Sequence, residues 1–300
     1  MSERARHAFE FVPAPEDLAP YLNSLYILRI APIGLEEMLP AYSGQLLISD
    51  GASGRIDFGQ GFVESPPHAA AVGPLSHAYP LKIDGPATLL GASMSFYGWA
   101  AITGLPATQF GDRFLDVATA LGQVASDAAM ELAGDLQAGR IEARAGLDRM
   151  ADILRPCAAP LPERHRELIE AAFDWISSGL NPPTAELYGR LQFSNRQVQR
   201  LVKRFFGLTP SRLKRRYRAI RAATLLADSQ LDEALRLEVL NAFYDQAHLI
   251  REIREFTGNT PRVIASSDDS IMPATLRQDG YGAVDVFGGN EARQLAKYQD

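Results

Sequence analysis

Between Arg196 and Arg221 the chain carries ten basic side chains and no acidic one. Guanidinium and ammonium groups at that density attract phosphate, and Arg and Gln also match the hydrogen-bonding edges of guanine and adenine. The chemistry on offer is recognition of a polyanion rather than bond making. Most charge runs are solvated helix faces, but the Glu/Lys interleaving of such a face is missing here. Histidine and cysteine offer less. His68 and His77 are an isolated pair, whereas a metal-bearing small barrel needs a tighter His/Glu cluster, so neither metal nor other cofactor is expected. His248 reads as an interior helix residue, Trp99 and Trp175 as core. Cys157, between prolines, reads as an exposed thiol or a bland linker residue rather than a nucleophile.

The elements that must position the basic groups come as a near-duplication. FSNRQVQRLVKRFFGLTP (Phe193–Pro210) is echoed by FYDQAHLIREIREFTGNTP (Phe243–Pro261). Each copy opens on a residue able to cap a helix, Ser194 or Asp245, and closes on G-x-T-P, a glycine stop with proline beyond. Each is preceded by a short helical pattern, which predicts two helix-turn-helix units whose second helices are sized for a major groove. Helical spacing turns Val198, Leu201, Val202, Phe205 and Phe206 inward and Arg196, Gln199, Arg200 and Lys203 outward. In the second copy Leu249, Ile253 and Phe256 face inward, leaving Gln246, Ala247, Ile250 and Arg251 as readers and Arg254 as a phosphate contact. Arg200 and Arg251 have a structural alternative, pairing with a carboxylate or packing their stems. Phosphate contacts are expected from Ser194, Asn195, Lys203 and Arg204, and from Lys214, Arg215, Arg216 and Arg218 on a long basic helix over Ser211–Asp228.

These motifs resemble the DNA-binding domain of the AraC/XylS family of bacterial transcription regulators, over about a hundred residues. The run D-Q-A-H-L-I-R-E-I-R-E-F-T-G-N-T-P and the run S-N-R-Q-V-Q-R-L carry the resemblance. It implies seven helices, two helix-turn-helix units bridged by one long helix, and binding to two successive major grooves of double-stranded DNA. It also implies Arg196, Gln199 and Arg200 as the first base-reading set, and Gln246, Ala247, Ile250 and Arg251 as the second. Where the family usually has a small Ala in the first helix and Gly at the turn, this chain has Tyr188 and Gln192, then Glu238 and Ala242. A non-glycine residue at a left-handed turn costs about 1 kcal/mol. Ala247 and Ile250 offer no hydrogen bonds, so the second unit is expected to discriminate bases less, through methyl contact with thymine.

The rest of the 300 residues frames these units. From Ser43 to about Phe96 short apolar runs alternate with Gly, Pro, Asp and Ser, which predicts strands of a sandwich or small barrel. Residues Leu115–Leu154 have helical spacing, with a break near Gly139. The fold class is α+β: a cupin-like β-barrel with a helical extension over 1–154, a linker at 155–162, an all-α domain over 163–265, and a tail at 266–300 with a strand at Ala283–Phe287. GASMSFYGWAAITGLPATQFGDR resembles the barrel-to-helix junction of cupin-like sensor domains attached to this family, which often bind a small effector and support dimerisation. The net charge of −6 divides unevenly, roughly +5 over 163–265 and −11 elsewhere. No run approaches the roughly 20 apolar residues of a membrane span, and a single cysteine fits a reducing cytoplasm. The expectation is a non-enzymatic regulator whose partners are DNA, RNA polymerase, an effector of unknown identity and a second copy of the chain. Two alternatives stay open: an interaction protein whose degenerate units no longer bind DNA, and a cupin-type metalloenzyme fused to such a module.

Overall fold

The strand Leu22–Ile30 shows how the N-terminal half is layered. In the computed structural model, which describes residues 7–227 and 230–266, Leu25 and Ile27 join a core beneath helices. Tyr26, Leu28 and Ile30 join a second core between two sheets. This is the two-residue period of a strand covered on both faces.

Ten strands form among the described residues: β1 (His7–Val12), β2 (Leu22–Ile30), β3 (Leu35–Leu39), β4 (Gln45–Ser49), β5 (Gly54–Asp57), β6 (Phe62–Glu64), β7 (Ala69–Val72), β8 (Tyr79–Ile83), β9 (Ala87–Met94) and β10 (Phe114–Leu115). They make an antiparallel sheet in the order β1-β2-β9-β4-β7-β10 and a second in the order β3-β8-β5-β6. The expected barrel is thus two facing sheets, not one closed cylinder, and the strands begin at His7 rather than Ser43. Between the sheets lies an apolar cavity of about 100 Å³. Gly91 helps to shape it: a Cβ there would fall 1.9 Å from the Tyr26 ring, which crosses the glycine paired with it.

Helices α1 (Phe96–Thr103), α2 (Ala107–Phe110), α3 (Val117–Leu121), α4 (Gln123–Gln137) and α5 (Ala143–Leu154) follow. Leu132 of α4 and Leu147 and Met150 of α5 close the outer face of the larger sheet. The break between α4 and α5 falls at left-handed Gly139, where glycine spacing predicted it. Cys157 ends a short 3-10 turn packed on this core, so it is half-buried rather than an exposed linker thiol, and burial raises its pKa.

The second half is helical: α6 (Glu163–Ser177), α7 (Thr184–Gly189), α8 (Asn195–Phe206), α9 (Pro210–Ala227), α10 (Glu233–Asn241), α11 (Gln246–Thr257) and α12 (Pro261–Ser266). Two cores hold it. Leu168 and Trp175 of α6 pack with Val198, Val202 and Phe206 of α8 around the first. Val239 of α10 packs with Leu249, Ile253 and Phe256 of α11 around the second. Helix α9 belongs to both, giving Leu213 and Tyr217 to the first and Ala219, Ile220 and Ala223 to the second. A connector embedded at both ends cannot swivel between them. Trp99 and Trp175 are fully buried, as their size predicts. The strand expected at Ala283–Phe287, and the last residue expected of α9, Asp228, lie outside the described residues.

Candidate nucleic-acid interface

Helices α8 and α11 each start on the side chain the sequence singled out. The Ser194 hydroxyl accepts the Gln197 backbone N–H at 3.3 Å, and Gln197 Oε1 accepts the Ser194 N–H at 3.0 Å, a reciprocal capping box. Asp245 Oδ1 accepts the His248 N–H at 2.7 Å. Each helix ends on a left-handed glycine, Gly207 with φ 72° and Gly258 with φ 77°. Val198, Val202, Phe205 and Phe206 are buried on α8, and Leu249, Ile253 and Phe256 on α11, as expected, whereas Leu201, also expected inward, is half-buried at the margin of the first core.

The opposite face of α8 is open. Ser194, Asn195, Arg196, Gln199, Arg200, Lys203 and Arg204 are exposed, and the four cations make no ion pair among the described residues. Gln199 Nε2 donates to the Tyr188 hydroxyl at 3.0 Å. Tyr188 is half-buried against the first core, and its hydroxyl orients this amide. On α11 Gln246, Ala247, Arg251 and Arg254 are exposed, while Ile250 is half-buried against the second core. Sequence reasoning passed over Tyr244, 93% exposed one residue before the Asp245 cap.

The turns carry no left-handed penalty. After α7 the chain leaves through Arg190 at φ −81°, and after α10 through Ala242 at φ −72°. Among the described residues His68 and Asp112 are the non-glycine residues with positive φ. Gln192 and Ala242 are therefore unstrained, contrary to the expected cost of about 1 kcal/mol.

The basic run on α9 requires a larger correction. Arg216 and Arg218, expected on phosphate, are buried. Arg218 pairs with Glu252 at 2.6 Å, donates to the Ala242 carbonyl at 3.0 Å and covers the Phe243 ring. Arg215 pairs with Glu252 at 2.5 Å and with Glu255 at 2.9 Å, so it too is engaged inside the molecule. Glu252, 1% exposed, also meets His248 Nε2 at 3.2 Å. Arg216 donates twice to the Ala41 carbonyl of the N-terminal half and stacks on Phe96 and Tyr217. Lys214 is half-buried, and burial beside Arg218 lowers its pKa. The neutralising carboxylates come from α11, so counting charge along α9 alone overstated the free positive field.

Helices α8 and α11 press their C-terminal ends against the N-terminal half. At Gly258 a Cβ would fall 2.4 Å from Met38 Cβ, and the Phe256 and Glu255 carbonyls accept N–H groups from Ala41 and Ala78 at 2.9 Å. At Gly207 a Cβ would lie 3.6 Å from Ala107 of α2. Phe96 packs against Phe206 as a tilted ring pair, with centroids 4.8 Å apart. His77 closes the seam: Nε2 accepts from Arg212 at 2.6 Å, Nδ1 meets Ser76 Oγ at 2.7 Å, and Ser76 Oγ donates to Asp112 at 2.6 Å. Burial, then Arg212, lowers the His77 pKa. Among the described residues no group of three or more His, Cys, Asp or Glu side chains could hold a metal ion.

Residues 187–266 match the sequence family described as a helix-turn-helix domain, the AraC-type kind, spanning both units. The second half of the chain carries an AraC-type DNA-binding domain. The chain is a DNA-binding transcription regulator, and its partner is double-stranded DNA. No curated protein sequence matches it. Solved structures similar to it include ToxT from Vibrio cholerae, at 8% identity over 79% of this chain and 95% of that one, with a TM-score of 0.45. Another is ToxT from the same organism bound to (E)-4-(8-methylnaphthalen-1-yl)but-3-enoic acid, at 8% identity over 85% and 97%, with a TM-score of 0.43. Among the described residues no helix is long and apolar enough to cross a membrane.

Proposed function

We propose that the AraC-type domain reads two successive major grooves on one face of a promoter, α8 entering one and α11 the next. The observation that carries this reading is the matched pair of capped helices on one connector embedded in both cores. Groove readers on one face must stand about 34 Å apart, and a rigid connector is the device that holds such a distance. Arg196, Gln199 and Arg200 read base edges in the first groove. Gln246, Ala247, Ile250 and Arg251 line the second, where half-buried Ile250 and small Ala247 suit thymine methyls. Ser194, Asn195, Lys203, Arg204 and Arg254 hold phosphates, with Lys214 at the margin.

The N-terminal half is a sensor and dimerisation domain in this reading. Its cavity holds a small effector, and the seam through Met38, Ala41 and His77 carries the effector's influence to α11. The protein acts by binding, not catalysis, works in the cytoplasm, and engages RNA polymerase beside its site. The test is capture of genomic DNA by the full chain, followed by affinity measurement on the recovered site. Arg196→Ala should cost roughly 1–3 kcal/mol there and relax preference at one or two base pairs. Unchanged affinity and preference would refute the assignment of α8.

A further inference from the structure

The cavity between the sheets has a chemistry of its own. Given that the N-terminal half is a sensor, the reading on which this rests, we propose that the cavity takes an uncharged molecule about the size of one aromatic ring. That molecule carries a single hydroxyl-type group that meets Nδ1 of His68. Size comes first. The cavity is about 100 Å³, smaller than the ~150 Å³ cavity lined by Leu, Ile and Phe that takes up benzene, so a single ring is the upper limit of what it takes. The walls are Leu28, Leu47, Ile56, Leu81, Leu89 and Phe114, with no Lys, Arg, Asp or Glu among the lining residues. A carboxylate or ammonium entering there would leave its hydration behind and find no counter-charge. Charged effectors are excluded.

Most polar groups in the wall already have partners. Tyr26 donates to Gln45 Oε1 at 3.2 Å, and Gln45 Nε2 donates to the Ser43 carbonyl and to Ser93 Oγ at 3.3 and 3.1 Å. Ser49 Oγ donates to the Ala52 carbonyl and accepts from the Gly51 N–H. Burial keeps the Tyr26 phenol neutral, its pKa well above the usual value. His68 differs. It lines the cavity, and its Nδ1 is buried with no hydrogen-bond partner. Its backbone holds φ 67°, in the left-handed region that a non-glycine residue rarely adopts. A conformation of that kind persists where the surroundings enforce it, often to aim a side chain at a ligand. A ligand hydroxyl suits this nitrogen in either imidazole tautomer, since it can donate or accept.

The experiment is isothermal titration of the full chain, without DNA, using phenol, its isostere toluene, and the matched pair benzamide and benzoate. Phenol is expected to bind at least tenfold more tightly than toluene, and benzamide at least tenfold more tightly than benzoate. His68→Ala should bring phenol down to the level of toluene. Ala70→Leu, on the same strand face as Val72 and in the cavity wall, should abolish all binding. Benzoate matching benzamide would overturn the exclusion of charge. Phenol binding that is absent, or unchanged in both variants, would overturn the site. A chain that binds DNA but not phenol loses this inference alone, and one that binds phenol but not DNA loses only the regulator reading.

Discussion

Removing the charge of Glu252 tests whether the basic run on α9 is internal. Glu252→Gln keeps the size of the side chain but leaves Arg218, 7% exposed, beside a neutral amide. Taking one partner from a buried pair costs about 3–5 kcal/mol, because the remaining ion has lost its water and its counter-ion. Arg215, more than a third exposed, adds under about 1 kcal/mol. For a domain of about a hundred residues each kcal/mol lowers the melting temperature by roughly 4–8 °C, so a fall of at least about 12 °C is expected. Thermal and urea unfolding followed by far-ultraviolet circular dichroism would measure it, with the urea midpoint moving at unchanged slope. The double variant Glu252→Leu with Arg218→Met should recover most of the loss, since apolar replacement of a whole buried pair is often neutral or better. A loss below about 1 kcal/mol for Glu252→Gln would refute the claim that Arg218 depends on this carboxylate.

Other outcomes are set by the same geometry. Ser194→Ala and Asp245→Ala should each cost about 1 kcal/mol of stability, additively, because the caps sit on separate cores; coupling above about 0.5 kcal/mol in the double variant would contradict that separation. In salt titrations of DNA binding, Lys203→Ala should flatten the logarithmic slope by about 0.9, whereas Arg218→Met should leave the slope alone. The lowered pKa of His77 means that the unfolded state takes up the extra proton first. Its contribution to the seam is complete above the ordinary imidazole value of about 6.5 and is lost as pH falls through the lower folded value. Facing it are Arg212, Arg215, Glu255 and Asp112, and the protection of the Ala78 amide against hydrogen exchange, relative to the intrinsic rate at each pH, should fall on acidification. His77→Phe, which keeps the ring over Phe256, should remove that dependence; an unchanged acid response would assign it elsewhere.

The helices of the second half were legible because each boundary is a local event. Ser194 and Asp245 cap, Gly207 and Gly258 stop, and neither depends on distant chain. The outward face of α8 was legible for the same reason. What could not be seen along α9 was the partner of each arginine. The acids that neutralise Arg215 and Arg218 lie 34 to 40 residues away on α11, and the carbonyl that holds Arg216 lies 175 residues away. Glu252 did leave a trace, since it falls between Leu249 and Ile253 on the buried stripe, where a carboxylate must have a cation. Strands before Ser43 escaped notice because β2 is covered on both faces, and its near-continuous apolar run lacks the alternation that marks a half-buried strand. Two sheets instead of a closed barrel is a matter of which edges pair, and side-chain pattern says little about edges.

The two glycine-ended helices rest on different parts of the N-terminal half, one on α2 and the other on the segment around Met38. Their separation is therefore held like two legs of a tripod, with the β-sheet body as the third. Helical phase on DNA becomes a property of the whole chain. An added base pair between the two groove segments would turn one contact by about a tenth of a turn, a strain that the embedded connector and this triangulated frame both resist.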